Sequence, residues 1–528
     1  MRKLAATILS FLIVTVAVSQ TSLSFYHLGR TTYQNSSLNP AWIPDGKLFI
    51  GLPGLSGVHV HVNNKLSYNQ LFTKESDSVL LDINKALKGL QGQNMASAQV
   101  NVNLFHVGYR FPQGAVISLF ANERVEVDAL YPEQLIDYVW NGNDNFLDDK
   151  IRIGRVGAQV SHFREIGIGY AYSVNGQLDF GMRAKYLMGF FDASTPGNFK
   201  ANLTSSGEFF QLEGELKNAR LRTAGVDIYS EDPVNGEVID LASHLLGSGN
   251  SGLALDLGVE YKLSRYYSVS ASILDLGYIN WKTNVVNHTL NDTTFTYRGV
   301  NLDGIGDVRE ALEDSLFNKF ETNETNETYK NWLPVKAYGS WIYHYDSQLD
   351  FYGTVGMRLI QGQLKMLYGG GMTRRFGRVF TGSLSATKLP QQFFNIGAAF
   401  AVNGGPVQFY MAADQVINFS APDAKAFDFR FGINFRFMGR DENLASNSST
   451  TSFANGKPGS NGTLKGPKGV DASIFHGRQV KTKKRDGIYS IIKKQKKRDI
   501  KNKRTEKRAV QRRSLNGRAG VKNKNEEE

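Results

Sequence analysis

The sequence predicts an all-β protein: a closed antiparallel transmembrane β-barrel of about 14 strands, with short loop helices and a disordered C-terminal tail. Three observations predict it. Long segments alternate apolar and polar side chains with a period of two. Tight turns alternate with much longer polar stretches. No run of 18 apolar residues follows residue 20, so strands are the only way this chain crosses a membrane.

The N-terminus comes first. Met1-Arg2-Lys3 is followed by an apolar core, Leu4 to Val18, and by Ala17-Val18-Ser19 before Gln20. Positive start, short apolar run and small-x-small site are the parts of a secretory signal peptide over residues 1–19. The alternative, an uncleaved anchor, is short of the roughly 20 residues a helical span needs.

The strands follow, over residues 47–440. Phe427, Phe429, Phe431, Ile433, Phe435 and Phe437 alternate with Asp428, Arg430, Gly432, Asn434 and Arg436. Successive side chains of a strand point to opposite faces, so one face is greasy and the other charged or small. Leu253 to Leu263 split the same way around Asp256, Gly258 and Glu260, and Phe180 to Met188 around Arg183 and Lys185. A soluble sandwich also alternates, but its strands usually have five or six residues; ten or more match a tilted membrane strand. Strand counts of 12 and 16 stay open beside 14. The polar face is the predicted lumen, lined by Arg183, Lys185, Asp256, Glu260, Arg430, Asn434 and Arg436. Gly432 lies on that face, so alanine is expected to be tolerated there. Tight turns are expected at Asn175-Gly176, Ser264-Arg265, Asp346-Ser347, Phe376-Gly377 and Gly404-Gly405, and long polar loops over 189–208, 223–250 and 283–335. Residues 77–91, Pro132 to Asn141 and Asp307 to Phe320 have helical spacing and are expected as loop helices or partial plugs.

The tail, residues 441–528, differs in charge. It holds 23 of the chain's 61 lysines and arginines but 9 of its 49 acids, a net +14, which leaves the body at −2. Residues 443–470 read as a Ser/Asn/Gly/Thr-rich flexible linker. Beyond it lie Lys483-Lys484-Arg485, further basic pairs, and a small apolar island containing Tyr489 and Ile491. Such a block is expected to need an anion, and Lys483, Lys484, Arg485, Tyr489 and Ile491 are its predicted anchor. An exported chain seldom meets nucleic acid, so none is expected. Lipopolysaccharide, peptidoglycan or an acidic envelope protein are the expected partners, with outer-membrane lipid around the barrel and the tail on the periplasmic side. The alternative is a solvated tail with no specific partner.

Catalytic chemistry is not written in this sequence. There are no cysteines, which removes disulfides, thiolate metal sites and cysteine nucleophiles. Nucleophile elbows, Walker loops and zinc-protease motifs are missing from the chain. His59 and His61 share a strand face, but a pair without a third ligand nearby reads as lumen polarity rather than a metal site. No enzyme and no cofactor is expected.

Several segments together carry a family resemblance. Asn39-Pro40-Ala41, Pro132 through Gly142-Asn143, Gly181-x-Arg183-x-Lys185-Tyr186, Asp256-Leu257-Gly258-x-x-Tyr261, and Asp275-Leu276-Gly277-x-Ile279-x-Trp281 resemble an outer-membrane barrel family of unknown function common in Bacteroidota. The resemblance covers about residues 20–437. More distantly the layout is similar to long-chain fatty-acid transporters and to the barrel that accompanies type IX secretion. It implies that residues 20–46 form an N-terminal plug or inner segment. Two functions are consistent with all this: a channel or transporter for small hydrophobic molecules, or a non-transporting scaffold of an envelope or secretion complex. The first requires a continuous lumen or a lateral opening, the second a plugged lumen and a partner for the tail.

Overall fold

The computed structural model describes residues 23–42, 44–75, 78–141, 146, 150–195, 199–206, 211–225, 249–297, 322–388, 394–416 and 421–438. Fourteen antiparallel strand positions close on themselves. The first, β1, is made of two segments, Leu48–Gly51 and Val58–Asn63. There follow β2 (Gln93–Arg110), β3 (Val116–Pro132), β4 (Gly157–Val174), β5 (Leu178–Ser194), β6 (Asn250–Lys262) and β7 (Tyr267–Trp281). The second half holds β8 (Lys336–His344), β9 (Leu349–Ile360), β10 (Gln363–Phe376), β11 (Phe380–Lys388), β12 (Phe394–Gly404), β13 (Val407–Ala413) and β14 (Ala426–Phe437). Each pairs with its neighbour in sequence, and β1 pairs with both β2 and β14. Among the described residues the ring of strands has no free edge, and pairing continues around it apart from local bulges, as lipid requires.

The predicted facing is the observed facing. Leu253, Tyr186, Leu257 and Phe427 point outward and are exposed, whereas Arg183, Lys185, Asp256, Ser268, Ser270 and Ser272 are buried inside. The tight turns also stand where predicted. Asn175 and Gly176 both take positive φ (53° and 74°), the turn geometry that matches strand twist. All the predicted tight turns lie at one end of the barrel, called here the turn end.

The loop end departs from expectation, beginning with a tight turn at Gln361-Gly362 between β9 and β10. Residues 77–91 are helical only over Ile83–Leu87; Ser78–Leu81 pairs with Phe72–Glu75 as a hairpin. Asp82 accepts a hydrogen bond from Lys85 N at 2.9 Å and so starts the helix there. Stretches read as polar loops also hold strands. Arg220–Ala224, Val285–Leu290, Thr322–Thr325 and Tyr329–Trp332 extend the barrel sheet. A separate sheet joins Lys150–Arg155, Lys200–Ser206, Gln211–Lys217 and Thr293–Tyr297. Several of these strands do carry apolar residues that pack locally, Ile151, Ala201 and Leu203 in one cluster and Ala224, Val285 and Tyr329 in another. At four to seven residues each, however, they are too short to read as membrane-crossing strands. The helix expected at 132–141 is present as Glu133–Asn141. The one expected over 307–320 lies outside the described residues.

Residues 23–42 occupy the barrel interior. Leu23, Phe25, Tyr26, Leu28, Leu38 and Trp42 are buried in one cluster with Leu274, Tyr338, Leu367, Ala401, Tyr410 and Ala412 of the inner wall. Polar ties add to this packing. Asp414 accepts from Leu23 N (2.6 Å) and Ser24 N (3.0 Å). His27 Nε2 lies 3.0 Å from Thr354 Oγ1, and Ser272 donates to the Leu38 carbonyl at 2.6 Å. Burial without a carboxylate partner pushes the His27 imidazole down to about 3.

Candidate functional site

The interior above this segment is a layer of paired charges. Asn122, Arg124, Glu126 and Asp128 alternate along β3 and all point inward. Arg124 makes a two-pronged contact with Asp275 of β7, at 2.9 Å to each oxygen, and reaches Glu165 of β4 at 2.8 Å. Lys185 of β5 lies 2.7 Å from both Asp256 and Asp275, and Lys336 of β8 lies 3.1 Å from Asp275. Arg358 of β9 grips both oxygens of Asp128 at 2.9 Å. With Arg183, 3.5 Å from Asp256, these form one network of five cations and five carboxylates. Its charges balance, which offsets the large cost of burying them. β3 and β9 stand six positions apart in a ring of 14, so the Arg358–Asp128 pair is a chord across the lumen.

A bulge builds the middle of this layer. The β6–β7 register slips between Leu255 and Leu257. Asp275, at φ 61°, donates its backbone N–H to Asp256 at 2.8 Å. Aspartate tolerates that left-handed conformation better than most residues. The bulge is the structural content of the Asp256-x-Gly258 and Asp275-x-Gly277 motifs. Gly277 faces Ala254 across the ladder, and Trp281 is buried with Phe163, Leu187 and Tyr329.

Gly181 and Gly258 face each other in the β5–β6 ladder. Their missing side chains leave a notch that takes Asn39-Pro40. A Cβ on Gly181 would stand 2.0 Å from the Pro40 carbonyl oxygen, and one on Gly258 2.2 Å from Asn39 Oδ1. Two family-motif segments far apart in sequence are therefore one docking point for the inner segment.

The remaining predicted lumen residues serve the same inner segment or the barrel seam. Glu260 lies 3.0 Å from Arg30, which also contacts Asp179. Asn434 accepts from Gln34 at 2.6 Å. Arg430 lies over the Phe25 ring at 4.4 Å, and its Nη2 is 3.0 Å from His59 Nδ1. Arg436 is half-buried at the turn end, where its backbone N–H donates to the Pro406 carbonyl at 2.6 Å. Gly142, Asn143, Lys483, Lys484, Arg485, Tyr489 and Ile491 lie outside the described residues.

His59 and His61 gain the neighbour that the sequence did not reveal. Asp428 of β14 sits across the seam, with Oδ2 2.9 Å from His59 Nε2 and 2.6 Å from His61 Nδ1. Sequence reasoning also missed Arg124, Glu126, Asp128, Glu165, Lys336 and Arg358. For the first three the signal was present, as inward charges at every second residue of β3.

A cavity of about 30 Å³ lies between the inner segment and the wall, lined among others by Tyr33, Trp42, Phe49, Tyr170, Met182 and Arg183. Tyr170 and Met182 are outward-facing and exposed.

No curated protein matches the chain. Among solved structures, it is similar to a Pseudomonas aeruginosa FadL homologue at 9% identity, over 80% of this chain and 100% of that one, with a TM-score of 0.39. It is also similar to the CymD monoaromatic hydrocarbon channel (10% identity, 78% and 94% covered, TM-score 0.36). A third is the Pseudomonas putida toluene transporter TodX (9% identity, 80% and 97% covered, TM-score 0.34). The model of one family, described as a family of unknown function (DUF5723), matches residues 40–414, from the Pro40 notch to the Asp414 anchor. The chain belongs to that family.

Proposed function

We propose that this is an outer-membrane, transporter-type barrel that gives small hydrophobic molecules a route along the seam between inner segment and wall, and gives ions none through the lumen. The observation that carries this reading is the pairing of a blocked axis with an apolar cavity at the wall. Along the axis stand the 23–42 segment and the Arg358–Asp128 chord. At the wall, outward-facing Met182 and Tyr170 line the same cavity as inward-facing Trp42 and Phe49. At about 30 Å³ it is several times smaller than a cavity of roughly 150 Å³ that holds a benzene, so a passing molecule has to widen it.

Uptake of a fluorescent hydrophobic probe by cells with and without the protein tests the reading, alongside conductance of the purified barrel in a planar bilayer. Uptake that requires the protein and falls in Met182→Trp, without ohmic conductance, is expected. Equal uptake with and without the protein refutes transport; a steady ion current refutes the closed lumen.

The second reading is a non-transporting scaffold, with the basic tail holding an anionic periplasmic partner. It is favoured by the chord itself, because paired charges across the lumen hold opposite walls together. In neither reading does the chain act as an enzyme.

A further inference from the structure

We propose that His59, His61 and Asp428 form a divalent transition-metal site that clamps the first strand of the barrel to the last. His59 and His61 are two apart on β1 and so share its inner face. Across the seam His61 stands opposite Asp428, and His59 opposite Arg430. The two imidazoles are stacked at 5.5 Å with 17° between their planes. One ligand atom from each of the three residues lies within 4.8 Å of the others.

All three side chains are buried, and two have coordinating atoms to spare. His61 Nε2 and Asp428 Oδ1 have no hydrogen-bond partner. His61 Nδ1 lies 2.6 Å from Asp428 Oδ2 but off the line of a hydrogen bond. Orphaned buried polar atoms are costly, and an ion held by Asp428 and one nitrogen of His61 would relieve part of that cost. Two imidazoles and a carboxylate suit zinc, nickel or copper rather than magnesium or calcium. Metal–ligand bonds of about 2.0–2.2 Å place tetrahedral ligand atoms roughly 3.3 Å apart.

Arg430 sets the condition for binding. It donates to His59 Nδ1, so His59 carries its proton on Nε2, toward Asp428. An ion on His59 Nε2 needs the reverse, with the proton on Nδ1 and no guanidinium facing it. Ion and Arg430 are therefore alternative counter-charges for Asp428. Arg430 also lies over the Phe25 ring, so filling the site pulls on the inner segment.

The test uses the full chain in detergent, free of any histidine tag, stripped with chelator and titrated with Zn²⁺ alone against a chromophoric competitor. One ion per chain is expected. Affinity should fall by more than about tenfold in Asp428→Asn and His61→Gln and rise by about tenfold in Arg430→Gln, the range seen for groups that tune metal ligands. Heat-dependent gel mobility reports whether each variant is folded, and two ligand variants are used so that one misfolded protein does not decide the result. Failure of the wild-type chain to hold zinc at micromolar protein overturns the proposal. So does binding that neither ligand variant weakens, or binding seen only in Arg430→Gln.

Discussion

Alanine at Gly181 tests whether the inner segment is locked by the notch in β5 and β6. The new Cβ would stand 2.0 Å from the Pro40 oxygen, 2.2 Å from its carbonyl carbon and 2.7 Å from Ala41 N. Real Cβ contacts essentially never fall below 3.0 Å, so something must move by about 1 Å. All three obstructing atoms are backbone, which yields less readily than a side-chain tip. Overpacking costs about 1–3 kcal/mol, and this geometry argues for the upper end. If the segment yields and the barrel does not, about 3 kcal/mol appears as local opening. Hydrogen exchange of amides in 35–46 then accelerates by about 10²-fold. Gly353→Ala is the control, because its Cβ would meet nothing within 4 Å and the lost chain entropy is the same. Equal protection of 35–46 in the two variants refutes the lock.

Four further outcomes are expected. Phe431→Arg should destabilise the barrel in urea by about 2–4 kcal/mol, the midplane cost of arginine on a lipid face, whereas Ser383→Ala, which removes a buried hydroxyl without a partner, should cost little. Arg358→Met should cost about 3–5 kcal/mol by stranding Asp128, and Arg358→Met with Asp128→Leu should lie closer to wild type; a double variant as unstable as the sum refutes the chord. N-terminal sequencing of the membrane-derived protein should begin near Gln20, and a retained Met1 refutes export by cleavage. A chain ending at Arg440 should assemble normally but lose sedimentation with peptidoglycan at low salt, an attraction that fades as salt screens it over about 8 Å.

Most of the wall was legible, because lipid on one side and packed charge on the other enforce alternation along the long strands such as Leu178–Ser194 and Ala426–Phe437. The small-residue face was misread at one position. Gly432 is inward as expected, but a Cβ there would stand 2.1 Å from the Ser56 carbonyl oxygen, so alanine is not tolerated freely. Periodicity gives the face of a residue and not what stands opposite it. For the same reason, His59 and His61 gave no metal signal: Asp428 is 367 residues beyond His61 and becomes its neighbour only when the barrel closes. Arg183, Lys185 and Asp256 were found by alternation, whereas their partner Asp275 was found only through its motif. It sits at the bulge, where the period of two breaks.

The motif residues and the charge layer converge on one mechanical point. The bulge at Asp256 and Asp275 fixes the carboxylates that Lys185 and Arg124 bind. Beside it, Gly181 of β5 and Gly258 of β6 fix Asn39-Pro40. β5 and β6 therefore hold the ionic layer and the inner segment at once, within a few residues of each other. The cavity lies against this region, with Pro40, Met182 and Arg183 among its lining residues. A shift of β5 that widened the cavity would strain the Lys185 contacts and the Pro40 dock together. In the proposed route, that geometry would couple opening at the wall to release of the inner segment.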